Sequence, residues 1–261
     1  MLFKQYYKKC NHLSFILIKT VVTVTIFNFA FLQNCSYASS FNVPEKLIYD
    51  LKWLGLKVGK ASLEITREED KIKITSSASS TKWVSIVYPV NDRIDSILVK
   101  KTHSSYIGQP VHHRIKIREG THRLDREIIF NHATNKTTFI DHLKNEKKEF
   151  DVPAFVFDPI SSFYYLRTLV LEEGKATNLP VFYGNNFQNV EVQVLRKEKV
   201  TLPIGTFDTI VVKPLFTSEG IFYQKSDMLI WLTNDMKHIP IMMKTKVIIH
   251  YVTAILVEGA Y

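Results

Sequence analysis

Apolar and polar residues alternate with a period of two along most of this chain, and that alternation limits it to a fold built from strands. Leu47, Tyr49, Leu51 and Trp53 interleave with Lys46, Asp50 and Lys52. In an extended backbone such residues point to opposite faces, one to be buried and one to be wetted. Gly55 and Gly59 bracket the passage into Ala61, Leu63 and Ile65, and Glu68-Glu69-Asp70 turns the chain into Ile72 and Ile74. The same pattern predicts strands over 93–100, 111–118, 121–130, 136–142, 178–183, 187–198, 207–214, 227–233, 239–250 and 251–258. Turn chemistry separates them at Glu119-Gly120, Gly184-Asn185-Asn186, Pro203-Ile204-Gly205 and Asn234-Asp235. Strands this numerous, with short turns and no alternating helices, specify an all-β fold whose sheet is mainly antiparallel and strongly curved or barrel-like.

One segment breaks the alternation. Asp158-Pro159 supplies an N-cap and a first-turn proline, and Gly174 follows Glu172-Glu173, so one conspicuous α-helix is expected at about 158–173. At 100° per residue, Ile160, Phe163, Tyr164, Leu166, Val170 and Leu171 share a stripe into which Arg167 also falls. A shorter helix is expected over Lys82 to Val87, stopped by Pro89.

The amino-terminal stretch has another character. Lys4, Lys8, Lys9 and Lys19 come with no acidic residue, then an apolar run from Val21 to Leu32, then Ser36-Tyr37-Ala38 before Ser39-Ser40. A basic segment, a short apolar segment and a small-x-small site, in that order, define a signal peptide over residues 1–38 and leave 39–261 as a single β-rich domain. The apolar run is shorter than the ~20 residues of a membrane-spanning helix, and Asn28 interrupts it. The alternatives are an uncleaved anchor and a lipid-modified Cys35, though Asn34 is bulky where a small residue belongs. Cys10 and Cys35 are the only cysteines, and both fall in the segment to be removed. A mature domain of this kind has no disulfide, thiolate metal site or catalytic cysteine, so a packed core must hold it together. Four lysines leave with the signal, and the remaining 30 basic and 25 acidic residues give a net charge of +5. That is too mild for a nucleic-acid partner.

Four motifs carry a resemblance. They are Tyr49-x-x-x-Trp53-x-Gly55-x-x-x-Gly59; the run from Asp158 to Arg167; Leu202-Pro203-Ile204-Gly205-Thr206-Phe207-Asp208; and Ile230-Trp231-Leu232-Thr233-Asn234-Asp235 followed by Ile239-Pro240. In this order, from about Leu47 to Val257, they resemble the bacterial exported family known as domain of unknown function 3108. The resemblance implies a cell-envelope location in Gram-negative-type bacteria and a β-rich fold. It implies no activity.

Arg167 is the first candidate site residue, because a guanidinium on a core-facing stripe must find a carboxylate or reach an aqueous cavity. Either it forms a structural ion pair, or it lines an interior pocket as an anion-recognising group beside Phe163 and Tyr164. His103, His112, His113, His122, His132 and His142 cluster in sequence, but without helical or alternate-residue spacing, and adjacent His112 and His113 point to opposite faces of a strand. No metal site is expected from that scatter. Residues 112–126 look basic. With Glu119-Gly120 as a two-residue turn, however, Lys116 faces Arg123, Arg114 faces Asp125 and His112 faces Glu127, an ordinary solvated face. Ser161-Ser162 sits in no nucleophile elbow, and no carboxylate pair, phosphate loop or dinucleotide fingerprint occurs, so neither catalysis nor a cofactor is expected.

The resulting expectation is a non-enzymatic periplasmic protein, possible in association with the outer membrane, that binds a lipid or other amphipathic envelope component in a barrel-like pocket. Arg167, Phe163 and Tyr164 are its expected ligand-binding residues. One alternative is an envelope assembly or scaffold protein with a filled interior that contacts a protein partner. The other is a small outer-membrane barrel, suggested by alternating Ile255, Val257 and terminal Tyr261.

Overall fold

A computed structural model of the chain describes residues 42–99, 107–215, 228–247 and 250–260. The expected signal peptide over 1–38 and His103 lie outside the described residues. The strands are β1 (Glu45–Trp53), β2 (Leu56–Glu68), β3 (Lys71–Ser80), β4 (Asn91–Val99), β5 (Gln109–Glu119), β6 (His122–Asn131) and β7 (Lys136–Asp141). They continue as β8 (Glu146–Asp151), β9 (Ala176–Tyr183), β10 (Asn186–Leu202), β11 (Gly205–Leu215), β12 (Met228–Thr233), β13 (Pro240–Val247) and β14 (His250–Ala260). Among the described residues two helices interrupt them, α1 (Lys82–Ser85) and α2 (Pro159–Leu166).

All fourteen strands join one antiparallel sheet in the order β8-β7-β6-β5-β4-β3-β2-β1-β14-β13-β12-β11-β10-β9. The first and last strands meet at its centre, and the sheet curls without closing. Its two edges are protected differently. Edge strand β8 carries Glu146, Lys147, Lys148 and Glu149, charges that discourage further pairing. Edge strand β9 is covered by Phe157, which donates to Pro180 O at 2.9 Å and accepts from Phe182 N at 2.8 Å.

The alternation sorts the sheet into rows. Ile65, Ile74, Ser96, His113, Ile128 and Phe139 are successive cross-strand partners on the inner face. The adjacent outer row is Glu64, Thr75, Asp95, Arg114, Glu127 and Ile140. A slip of one residue would exchange these rows, which fixes the register. The same sorting corrects the small outer-membrane barrel. Lys60, Glu64, Lys73, Arg93, Asp95, Arg114 and Lys116 alternate with the inner residues of β2–β5, where a lipid-facing wall requires an apolar band.

Three local expectations change. The β5–β6 turn is Gly120-Thr121, so Arg114 pairs with Glu127, Lys116 with Asp125 and Arg118 with Arg123. The register moves by two residues, which preserves the faces and changes the directly opposed partners, while Arg114 still meets Asp125 at 2.7 Å and His112 still meets Glu127 at 2.8 Å as diagonal pairs. The cause is Gly120, whose φ of 53° suits the first central position of a hairpin turn and whose N–H donates to Pro89 O at 2.8 Å. Strand β8 goes unseen in the alternation because the edge wets both of its faces. Helix α2 is eight residues long and stops at Leu166 instead of 173. Beyond it Thr168 and Leu169 donate to Tyr165 O and Leu166 O in tighter turns, and Gly174 N is drawn to Val194 O. Val170, counted in the stripe, is 71% exposed.

Candidate functional site

The inner face of the curled sheet holds a half-open cavity of about 310 Å³. Leu63, Ile94 and Ile115 form one wall, Val192, Ile230 and Met243 the other, and Ile160 and Phe163 of α2 part of its base. Among the described residues its polar lining consists of Ser62, Ser76, Ser162, Tyr49, Tyr183 and His113, with no Lys, Arg, Asp or Glu. An adjoining compartment of about 140 Å³ shares Ile94, Ile115 and Tyr183 with it. Arg126 lines that compartment, its Nε 3.1 Å from Asp141 and its guanidinium carbon 5.7 Å from the centre of the Phe139 ring. Burial pushes the Asp141 carboxyl up, but the Arg126 hydrogen bond and the N–H groups of Leu143 and Lys144 outweigh it and hold it below the usual range.

Helix α2 is placed by its first residue. Asp158, fully buried, accepts from Ile160 N and Ser161 N at 3.0 Å and from Ser161 Oγ at 2.7 Å. Ser96 Oγ of β4 donates to the same carboxylate at 2.6 Å, which ties the helix start to the sheet. The other end is held by Arg167. Its Nη1 and Nη2 each donate to Glu45 at 2.7 Å, a bidentate pair in which both side chains are 0% exposed. Nη2 also donates to Lys237 O at 3.2 Å, the guanidinium lies 4.9 Å from the Tyr164 ring centre, and Arg167 O lies 2.9 Å from His238 Nδ1. Burial alone would lower the Arg167 pKa, but the hydrogen bonds and charge of Glu45 leave it raised. Burial likewise pushes the Tyr49 and Tyr164 hydroxyls up, against the pull of Arg167.

Of the three expected ligand residues, only Phe163 lies on the cavity wall. Arg167 and Tyr164 are buried behind it, and Arg167 takes the ion-pair alternative. Glu45 shares the parity of Leu47 and Tyr49, so the sequence marks an acid on an inward face, though not which residue it meets. His113 carries the same kind of signal, standing at alternate spacing with Ile115 and Ile117. It is 1% exposed, lines the cavity, and makes no well-aligned hydrogen bond at either ring nitrogen, the Asp95 backbone being a polar neighbour on β4. Its Nδ1 lies 3.3 Å from Asp158 Oδ1. Burial pushes the imidazole pKa down, and the Asp158 charge only partly opposes it.

The other described histidines lie outside the cavity lining. His112 and His142 contact Glu127 on the outer face, His132 Nε2 meets Pro110 O, and His122 is exposed. Ser162 lines the cavity, but its hydroxyl donates to Pro159 O at 2.8 Å and not to the imidazole, so no nucleophile–base hydrogen bond forms.

Residues 48–255 match the family described as Protein of unknown function (DUF3108). No curated protein matches the chain. Among solved structures, the crystal structure of a beta-barrel-like protein of domain of unknown function DUF1849 from Brucella abortus is similar with a TM-score of 0.53. Sequence identity is 11%, over 83% of this chain and 97% of that one. The likeness is one of fold.

Proposed function

The chain belongs to the DUF3108 family, and we propose that it is a non-enzymatic, exported protein of the bacterial cell envelope that binds a lipid or other amphipathic molecule in the hollow of its curled sheet. The observation that carries this is the cavity. A domain without disulfides needs its core filled, since interiors pack as densely as organic crystals. Here the two arms of the sheet and α2 instead leave about 310 Å³ lined by aliphatic and aromatic side chains. That volume lies at the small end of the ~300–1,000 Å³ range of ligand pockets, and an apolar lining with a few polar groups suits an amphiphile. Export and a periplasmic location rest on the basic, apolar and small-residue order of residues 1–38. Organic extraction of protein purified from a periplasmic fraction, followed by mass spectrometry, tests both parts. A single-chain lipid in stoichiometric amount with a polypeptide beginning at Ser39 is expected. A full-length polypeptide in the membrane fraction contradicts the export, and an empty extract speaks against the ligand.

An assembly or scaffold role is the second reading, and a separate observation favours it. Trp53, Leu54 and Leu56 at the β1–β2 turn and Trp83, Ile86, Val87 and Tyr88 around α1 are all exposed, Ile86 and Val87 at 84% and 86%. They stand at one end of the sheet, opposite the Arg167–Glu45 pair, because β1 runs from Glu45 to Trp53 and α1 follows the strand paired with β2. An apolar rim of this kind marks an interaction surface. If partner contact is the function, replacing Trp83 and Val87 by serine abolishes it while an apolar probe still enters the cavity.

A further inference from the structure

We infer that the cavity selects amphiphiles with an uncharged, hydrogen-bond-donating head, such as a long-chain alcohol or a glyceride hydroxyl, and that His113 is the group that receives it. The inference rests on the cavity-binding reading and names the ligand class.

His113 is a buried polar side chain of the cavity lining, and neither ring nitrogen makes a well-aligned hydrogen bond, its polar neighbours being the Asp158 carboxylate and the Asp95 backbone. Buried polar groups without a well-aligned partner are uncommon in native proteins, and one lining a cavity is open to a ligand or water atom. Its electrostatic setting decides which atom. Asp158 Oδ1 lies 3.3 Å from Nδ1, and the carboxylate is fixed by Ser96, Ile160 and Ser161. A negative oxygen at that distance favours the proton on Nδ1, although the contact is too poorly aligned to count as a hydrogen bond. Nε2 is then a lone-pair acceptor, and the matching ligand group is an O–H.

Charge points the same way. With burial pushing its pKa down, His113 is neutral near pH 7, and among the described residues the cavity lining holds no cation to meet a carboxylate or phosphate. Arg126 is in the adjoining compartment and is already neutralised by Asp141. An anionic head beside His113 would be buried without a counter-charge and close to Asp158, which is strongly unfavourable.

Competition against N-phenyl-1-naphthylamine, an uncharged fluorescent probe, tests this with three ligands of one chain length: dodecan-1-ol, its methyl ether, and dodecanoate at pH 8. The alcohol should compete about tenfold better than the ether, which cannot donate, the difference a single buried hydrogen bond makes. Dodecanoate should be the weakest competitor. His113→Leu should retain the probe and compete equally with alcohol and ether. Equal competition by alcohol and ether in the wild-type protein would overturn the head-group assignment while leaving the cavity reading intact. A preference for dodecanoate would also overturn it, pointing to Arg126. Failure of the wild-type protein to bind the probe at all counts against the cavity reading itself. The wild-type comparison needs no variant, so misfolding of His113→Leu would not rescue the inference.

Discussion

Replacing Arg167 by Met leaves the Glu45 carboxylate at 0% exposure without its bidentate partner. Breaking one side of a buried ion pair costs about 3–5 kcal/mol, because the abandoned charge stays desolvated. Tyr164 Oη, 3.4 Å from Glu45 Oε1, is too distant to compensate, and Lys237 O loses a donor at 3.2 Å. For a domain of this size each kcal/mol moves the melting temperature by roughly 2–4 °C, so a fall of about 6–20 °C is expected. The second variant, Arg167→Met with Glu45→Leu, removes both charges and should recover most of the loss, since apolar replacement of a whole buried pair is often neutral or stabilising. Urea unfolding of the two variants beside the wild type measures both changes. Arg167 does not line the cavity, so the double variant should bind an apolar probe as the wild type does. A loss below about 1 kcal/mol for the single variant, or no recovery in the double, refutes the buried-pair account.

Acidification should also destabilise the domain. His113 and His238 have folded-state pKa values pushed below the ordinary 6.5, chiefly by burial. The unfolded chain therefore binds more protons than the folded one once pH falls below that value, and stability falls with it. The slope is at most about 1.4 kcal/mol per pH unit for each histidine, and less for half-buried His238. Melting temperatures between pH 7.5 and 5.5 check this; a flat or rising profile toward acid contradicts it. Gly120→Ala should cost about 1–2 kcal/mol in denaturant unfolding, because φ is 53° and an added Cβ would sit 2.6 Å from a Tyr88 ring carbon. An unchanged stability would mean that the turn rearranges freely.

The strands and their faces were legible because burial on one side imposes a period of two that survives in any single sequence. The exceptions have physical causes. Strand β8, Glu146–Asp151, carries little alternation because this edge is wetted on both faces and Phe150 is its one residue packed against the core. The β5–β6 register depended on which pair of residues formed the turn, and two choices two residues apart sort the faces equally well. The length of α2 was overestimated because its apolar stripe continues to Leu171, which is indeed buried but in irregular backbone. The site was half legible. Phe163 reached the cavity, whereas Arg167 went to Glu45, a partner 122 residues away that no local pattern specifies. His113 was visible as an imidazole on an apolar face, but only the curl of the sheet shows that this face lines a cavity.

Filling the cavity tests the central claim most directly. Ser76 lies between Leu63 and Ile94 in one inner row and lines the cavity, so Ser76→Phe places a ring in the space the ligand would occupy. Binding of N-phenyl-1-naphthylamine should be saturable in the wild-type domain and at least about tenfold weaker in Ser76→Phe, with the melting temperature kept or raised, because filling a void restores packing contacts. Undiminished probe binding by a folded Ser76→Phe domain would place the probe elsewhere and contradict the account.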